Sequence, residues 1–232
     1  MYNIGVIVVS HYSGFYTHFD NIRYNIFTNE DIPCIFAYNG DLPGEPKLHE
    51  TVYRDRGMNP SMYNKFIQTY TDTPALADAD FIVRVNSSTF LSPKPLIKLI
   101  SKLPVNGCYA GSSLPHGSSI VASGMCIIFS RDVMKMLCDR GSVLGNINDD
   151  LVIGKFMKEN NIDHISTDVA DQVRLEQGFN YIVASGKVPE SCDPIYSKVM
   201  GQAITRIKNV DRSLDAQIWD ILYRKYIYET KD

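Results

Sequence analysis

Apolar runs of strand length alternate with segments of helical period along this chain, and that alternation constrains the fold more than any other feature. Ile4–Val9 is an unbroken apolar run, the pattern of a parallel strand covered on both faces. After a break at residues 10–14, Phe19, Ile22 and Ile26 recur at helical spacing. Residues 33–38 read as a second strand, ended by the turn signal Asn39-Gly40-Asp41. A short strand over 51–54 follows, and Pro60 opens a helix carrying Met62, Phe66 and Tyr70. Residues 81–85 are another apolar strand, with a helix over 93–103 after it. A segment rich in glycine and serine, 107–124, is broken by Cys108-Tyr109-Ala110 and Ile120-Val121. Beyond it, 125–129 read as a strand, 131–138 as a short helix and 151–160 as a helix. Asn148-Asp149-Asp150 is placed to cap that last helix, because Asn and Asp accept the free N–H groups of a first turn. The final helix, 211–228, carries the stripe Leu214, Ile218, Trp219, Leu222 and Tyr226. This order predicts an α/β protein of three layers around a mixed, largely parallel central sheet.

The bulk properties narrow the class further. A length of 232 residues suits a single domain with a sizeable core. A net charge of -3 without a dense basic stretch sets general nucleic-acid binding aside. The five cysteines are scattered and show no C-x-x-C spacing, which favours buried reduced thiols. Residues 1–10 are too short for a membrane span and lack a basic flank, so they read as a buried strand, not a signal peptide.

In open parallel sheets, ligands bind beyond the carboxyl ends of the strands. That rule selects Ser10, His11 and Tyr12 after the first strand, with Tyr12 able to stack on a base and Ser10 able to bond its edge. It also selects Asn39 after the second strand and Asn86, Ser87 and Ser88 after the central one. Asp78 and Asp80 form an Asp-x-Asp pair but precede the central strand, which marks a helix-to-strand turn at the far edge. Asp149 and Asp150 at a helix start can divide into one cap and one solvent-facing base. Near the C-terminus, alternation puts Arg206 and Lys208 on one face of an extended segment, with Arg212 opening the next helix. Such side chains bind phosphate directly. Arg54, Arg56 and Arg84 are further candidates for phosphate, with structural ion pairing the favoured reading. The histidines lack metal-ligand spacing, and the sequence contains no P-loop, dinucleotide fingerprint or nucleophile elbow.

The central strand, with Asn86-Ser87-Ser88 and the run Thr89-Phe90-Leu91-Ser92-Pro93 toward a helix, resembles the centre of a GT-A glycosyltransferase. In that family an Asp-x-Asp motif usually stands there and holds Mg²⁺ or Mn²⁺ against the diphosphate of a nucleotide sugar. Amide and hydroxyl oxygens are poor ligands for such hard cations. The stretch from Ala122-Ser123-Gly124 through Arg131-Asp132, followed by Asn148-Asp149-Asp150-Leu151-Val152-Ile153-Gly154, resembles the fringe and beta-1,3-galactosyltransferase-like families. Asp150 matches the second acid of their Glu-Asp-Val-x-x-Gly pattern, and Gly154 matches the glycine. This likeness covers roughly residues 80 to 160.

The resemblance implies a GT-A-like (Rossmann-like) fold in one domain over 1–232. Its nucleotide-binding half would be about 1–105, and its acceptor-binding half and closing segment about 106–232. It implies a hexosyl- or pentosyltransferase moving sugar from a nucleotide diphosphate sugar, a UDP-sugar, to a glycan hydroxyl with inversion. Asp150 would be the base, with Asp149 as its substitute, and Ser123 and Gly124 would shape the pocket. Ser10, His11, Tyr12, Asn39, Asn86, Ser87, Ser88, Arg206, Lys208 and Arg212 would hold the donor. No metal cofactor is expected from these residues, although Mn²⁺ or Mg²⁺ carried by the diphosphate stays open. Without an N-terminal anchor, the resemblance implies a cytoplasmic protein or a soluble domain of a larger one. Two other readings remain: a GT-A-like module that only binds a glycan or partner, and a nucleotidyltransferase on a related fold.

Overall fold

The computed structural model describes residues 2–39, 45–53, 61–117, 119–143, 148–167, 203–207 and 212–229. The first half runs β1 (Ile4–Val9), α1 (Gly14–Thr28), β2 (Cys34–Asn39), β3 (Glu50–Tyr53) and α2 (Ser61–Asp72). The central strand β4 (Phe81–Asn86) is followed by β5 (Thr89–Leu91) and α3 (Pro93–Ile100). Then come β6 (Tyr109–His116), β7 (Ser119–Ser130), α4 (Arg131–Arg140), α5 (Asp149–Glu159) and β8 (His164–Ser166). The described chain ends with β9 (Ile204–Arg206) and α6 (Arg212–Glu229).

Seven strands form one sheet in the order β3-β2-β1-β4-β7-β6-β8. β7 runs antiparallel to both neighbours, while the other pairings are parallel. A second, two-stranded sheet pairs β5 with β9 in antiparallel fashion. The expected α/β architecture with a mixed, largely parallel sheet is the one observed. Among the described residues, no helix is long and apolar enough to cross a membrane.

Strand alternation sorts the core into two layers. Val6 and Val8 of β1, Val83 and Val85 of β4, and Ile128 of β7 pack against Phe19, Ile22 and Ile26 of α1, Leu96 of α3 and Trp219 of α6. Phe19 and Trp219 stack at 4.7 Å, which docks the C-terminal helix onto α1. Ile7, Val9, Ile82 and Ile127 face the other way, against Tyr63 and Phe66 of α2, Val133 and Leu137 of α4 and Ile153 of α5. On β4, Arg84 occupies a position on this second face that the alternation otherwise gives to apolar side chains.

The segment expected to be a broken glycine- and serine-rich stretch is instead a continuous hairpin, β6–β7, with a register shift between Gly111 and Ser113. A Cβ at Gly111 would lie 2.7 Å from the Cys126 carbonyl oxygen and 2.8 Å from Ala122 Cβ. Glycine is therefore the residue that lets the two strands close there, and low side-chain content does not mark a loop. Gly154 does the same for α5: a Cβ there would lie 2.7 Å from Val121 Cβ. Gly154→Ala is accordingly expected to destabilise by about 1–3 kcal/mol in urea unfolding, the cost of overpacking. At an open helix position the same change would stabilise by about 1 kcal/mol, so the sign reads out the close approach.

Candidate functional site

Parallel β1, β2 and β4 end together, so Ser10, Asn39 and Asn86 share one edge of the sheet; Val9 lies opposite both Ala37 and Asn86. The edge is built over two buried charged networks, one on each face. On the α1 face, the carboxylate of Asp20 accepts hydrogen bonds from Ser10 Oγ (2.6 Å), Tyr38 Oη (3.0 Å) and Arg23 (2.8 Å). Arg23 also donates to the carbonyls of Ser87 (3.0 Å) and Thr89 (2.8 Å), and its guanidinium lies 4.9 Å from the Trp219 ring centroid. This network ties the ends of β1 and β2 to the turn after β4. Burial raises the Asp20 carboxyl despite Arg23, Ser10 and Tyr38, and burial lowers Arg23.

On the opposite face lie Lys65 of α2, Arg84 of β4 and Asp149 of α5. Lys65 and Arg84 are wholly buried and Asp149 is 5% exposed. Lys65 Nζ donates to the Ser10 carbonyl at 2.8 Å. Arg84 pairs with Asp149 and donates to the Gly124 carbonyl and to Asn86 Oδ1, the last at 2.8 Å. Its Nε has no hydrogen-bond partner among the described residues. Burial, then Arg84, pushes the Lys65 ammonium down to about 7, while Asp149 and Asp20 oppose the shift.

The acidic pair divides as its spacing allows. Asp149 is engaged by the Arg84 guanidinium. Asp150 is half-buried; Oδ2 accepts the Gly124 N–H at 3.2 Å and Oδ1 the Leu151 N–H at 2.9 Å. Each of its oxygens keeps a second lone pair. Asn148 precedes the helix as expected, but its side chain makes no capping bond. Gly124 sits among these charges, since a Cβ there would lie 3.3 Å from Arg84 and 3.4 Å from Asp150. Ser123 Oγ accepts the Met125 N–H at 3.3 Å.

Other selected residues are placed as follows. The Ser10 hydroxyl is buried and donates to Asp20. His11 is half-buried, and burial followed by Lys65 lowers its titration. Tyr12 is 41% exposed and meets Tyr38 edge-on at 5.8 Å, leaving ring surface for stacking. Ser87 and Ser88 are buried in the turn, and Asn86 is half-buried. β9 returns to this turn: Arg206 lies opposite Thr89, and the Ile207 N–H donates to the Ser88 carbonyl at 2.9 Å. Arg206 is exposed. Lys208, Arg54 and Arg56 lie outside the described residues. Arg212 opens α6. Asp80 sits at the amino end of β4, bonded to the Asn3 N–H (2.9 Å) and Arg131 (3.2 Å), far from the crevice edge.

The donor set at the turn does not fit a divalent cation. Asn86 Oδ1 already accepts from a guanidinium, and the neighbouring side chains are hydroxyls. Among the described residues, no three His, Cys, Asp or Glu side chains gather to hold a metal.

Neither a protein-family model nor a curated protein matches the sequence. Solved structures match the fold. A glycosyltransferase involved in glycosylation of the major capsid of PBCV-1 aligns with a TM-score of 0.53 at 12% identity, over 93% of this chain and 98% of its own. The fold is GT-A-like. The glycosyltransferase GlyE of Streptococcus pneumoniae TIGR4 aligns with a TM-score of 0.50 at 10% identity, over 99% of this chain and 64% of its own. The galactosyltransferase LgtC, solved with donor and acceptor sugar analogues, aligns with a TM-score of 0.50 at 8% identity, over 96% and 95%.

Asp20, Arg23 and Lys65 carry no motif or spacing that marks them as site residues in the sequence. The available signal was a charge beside an apolar stripe: Asp20 and Arg23 alternate with Phe19 and Ile22, and Lys65 precedes Phe66. Arg84, inside the apolar run of β4, was read as an ion-pair partner and is one.

Proposed function

We propose that this protein is a glycosyltransferase, taking a hexosyl or pentosyl group from a nucleotide diphosphate sugar, a UDP-sugar, to a glycan hydroxyl. The observation that carries the reading is the pairing of β9 with β5, which returns Arg206 to the turn after the central strand. A cation there can face a diphosphate lying over the sheet edge, within a fold shared with solved glycosyltransferases. In this reading Tyr12 stacks on the base, His11 and Asn39 line the nucleoside site, and Asn86 is oriented by Arg84 toward the donor. The roles of Ser87 and Ser88 pass to the backbone of their turn, which Arg23 holds. Arg206, with Lys208 and Arg212, stabilises charge on the leaving diphosphate without a metal.

Asp150 takes the proton from the acceptor hydroxyl as that oxygen attacks the anomeric carbon, which inverts its configuration. Asp149 keeps Arg84 in place beside it, and Ser123 and Gly124 form the adjoining wall. The first half of the chain then holds the nucleotide and the second half the acceptor.

The test is release of nucleoside diphosphate from UDP- and GDP-sugars in EDTA and in Mn²⁺, with the anomeric form of the product read by NMR. Asp150→Asn is expected to lower transfer by about 10²–10⁴-fold, the usual contribution of a general base, with nucleotide affinity kept. Full transfer by that variant removes Asp150 from the role, and retention of configuration removes the inverting mechanism. The absence of carboxylates at Asn86, Ser87 and Ser88 favours a second reading, a module that binds without catalysis. Its mark is nucleotide or glycan binding with no diphosphate released.

A further inference from the structure

Beneath the crevice, the buried charges among the described residues are more positive than negative, with the half-buried Asp150 at the rim beside Gly124 and Arg84. Lys65 and Arg84 are both wholly buried, and Asp149 is the carboxylate beside them, already paired with Arg84. Asp20 acts on Lys65 through space from the other face, but it is paired with Arg23. Counting that pair leaves the same surplus of one cation. The Lys65 ammonium has three donors, and its hydrogen bond among the described residues is the one to the Ser10 carbonyl. Buried charges normally persist only when paired and fully hydrogen-bonded. Among the described residues that ammonium, at the carboxyl end of β1, is one buried counter-ion short, which points to an anion that arrives from outside.

We propose that Lys65 is a built-in counter-ion for the diphosphate of the donor, and that nucleotide-sugar binding is coupled to uptake of a proton by its amine. The inference rests on reading this edge as the donor site. Lys65 need not touch the diphosphate, because in a partly desolvated site an anion acts on it through space. It is a positioning residue in this sense, supplying field beside Arg84.

Among the described residues, the groups facing it are Arg84 from β4, Asp149 from α5, Asp20 from α1 and His11 from the segment after β1, with Asp150 of α5 beside Gly124 and Arg84. With Lys65 poised near 7 in the free protein, much of it is neutral at pH 8. An incoming diphosphate favours the ammonium, so a proton moves from solvent onto the Nζ lone pair. Binding is then tightest below pH 7 and weakens above it, as the free protein must first gain that proton. Among the described residues His11 can also take up a proton here, and Lys65 itself disfavours its charged form.

The test is calorimetric titration of the full chain with UDP-glucose and GDP-mannose in EDTA, from pH 6 to 9. The phosphates of these diesters do not titrate in that range. Comparing HEPES with Tris, whose ionisation enthalpies differ, gives the number of protons exchanged. The wild type is expected to take up close to one proton at pH 8, with Kd rising by up to roughly tenfold per pH unit above 7. Lys65→Met is expected to bind weakly at every pH with no uptake. Lys65→Arg, which keeps its charge, should restore binding at pH 9 and also show no uptake. Affinity that ignores pH in the wild type overturns the proposal, and that measurement needs no variant. Uptake that persists in Lys65→Met belongs to His11 and overturns it too. If neither nucleotide sugar binds, the donor-site reading fails, and this inference with it.

Discussion

Asp149→Asn is expected to destabilise the protein by about 3–5 kcal/mol, the cost of breaking a buried ion pair from one side. Asp149 is the carboxylate that Arg84 meets, and Lys65 lies on the same buried face. Removing its charge leaves two buried cations facing a neutral amide. For a chain of this size the loss corresponds to a fall in Tm of roughly 6–20 °C. The neighbouring Asp150 offers the control, because it is half-buried and held by backbone N–H groups of Gly124 and Leu151 instead of a buried cation. Asp150→Asn should therefore change stability far less while removing transfer. The pH dependence supplies a second check. Asp149 favours the Lys65 ammonium, so in the variant that proton leaves at still lower pH. Once Lys65 is neutral, one of the two uncompensated charges has gone. The deficit of Asp149→Asn should accordingly shrink between pH 6 and pH 9 in chemical denaturation. A deficit that is equal at both values would mean that Lys65 does not feel Asp149.

The layered fold was legible because its signals are local. Ile4–Val9 and the 81–85 run are strand-length apolar blocks, and Phe19, Ile22 and Ile26 mark one face of a helix, so periodicity alone orders the layers. The acidic pair at the start of α5 was also legible, since a helix start leaves a residue signature. The β6–β7 hairpin was not, because Gly111 is required by its close approach to Ala122 and Cys126 on the facing strand, a contact that periodicity does not see. The floor of the site was hidden for the same reason. Ser10 looks like an exposed loop residue until Asp20 closes over it, and Asp20 in turn has meaning only beside Arg23 and Tyr38. Such a network draws on α1, β1, β2 and the turn after β4, so its members share no spacing in sequence. Lys65 shows the limit most clearly: on a helix read for Met62, Phe66 and Tyr70, a lysine is assumed to reach solvent.

Lys65→Met should raise the stability of the ligand-free protein even as it weakens donor binding. Among the described residues the buried ammonium makes one hydrogen bond and has no carboxylate of its own, an environment that prefers an apolar chain of the same length. Replacing buried charges by packed apolar groups commonly stabilises by about 1–4 kcal/mol, and methionine adapts well to an irregular site. The sign of the pH effect follows from linkage. The folded protein holds the Lys65 proton only up to about 7, against an ordinary 10.5. Between those values the unfolded chain binds more protons, so wild-type stability rises with pH across that window. The destabilisation is fully present below pH 7 and fades as pH approaches 10. Lys65→Met removes this slope, so its advantage over wild type should be largest near pH 6 and nearly vanish by pH 10. Urea unfolding at pH 6, 8 and 10 measures it directly. A wild type that outlasts Lys65→Met at pH 6 would mean that Lys65 is already compensated in the free protein, leaving no surplus charge for a diphosphate to answer. The opposite result identifies the buried lysine as a feature that weakens the empty fold and is relieved when an anion binds, which is how a binding site differs from a core.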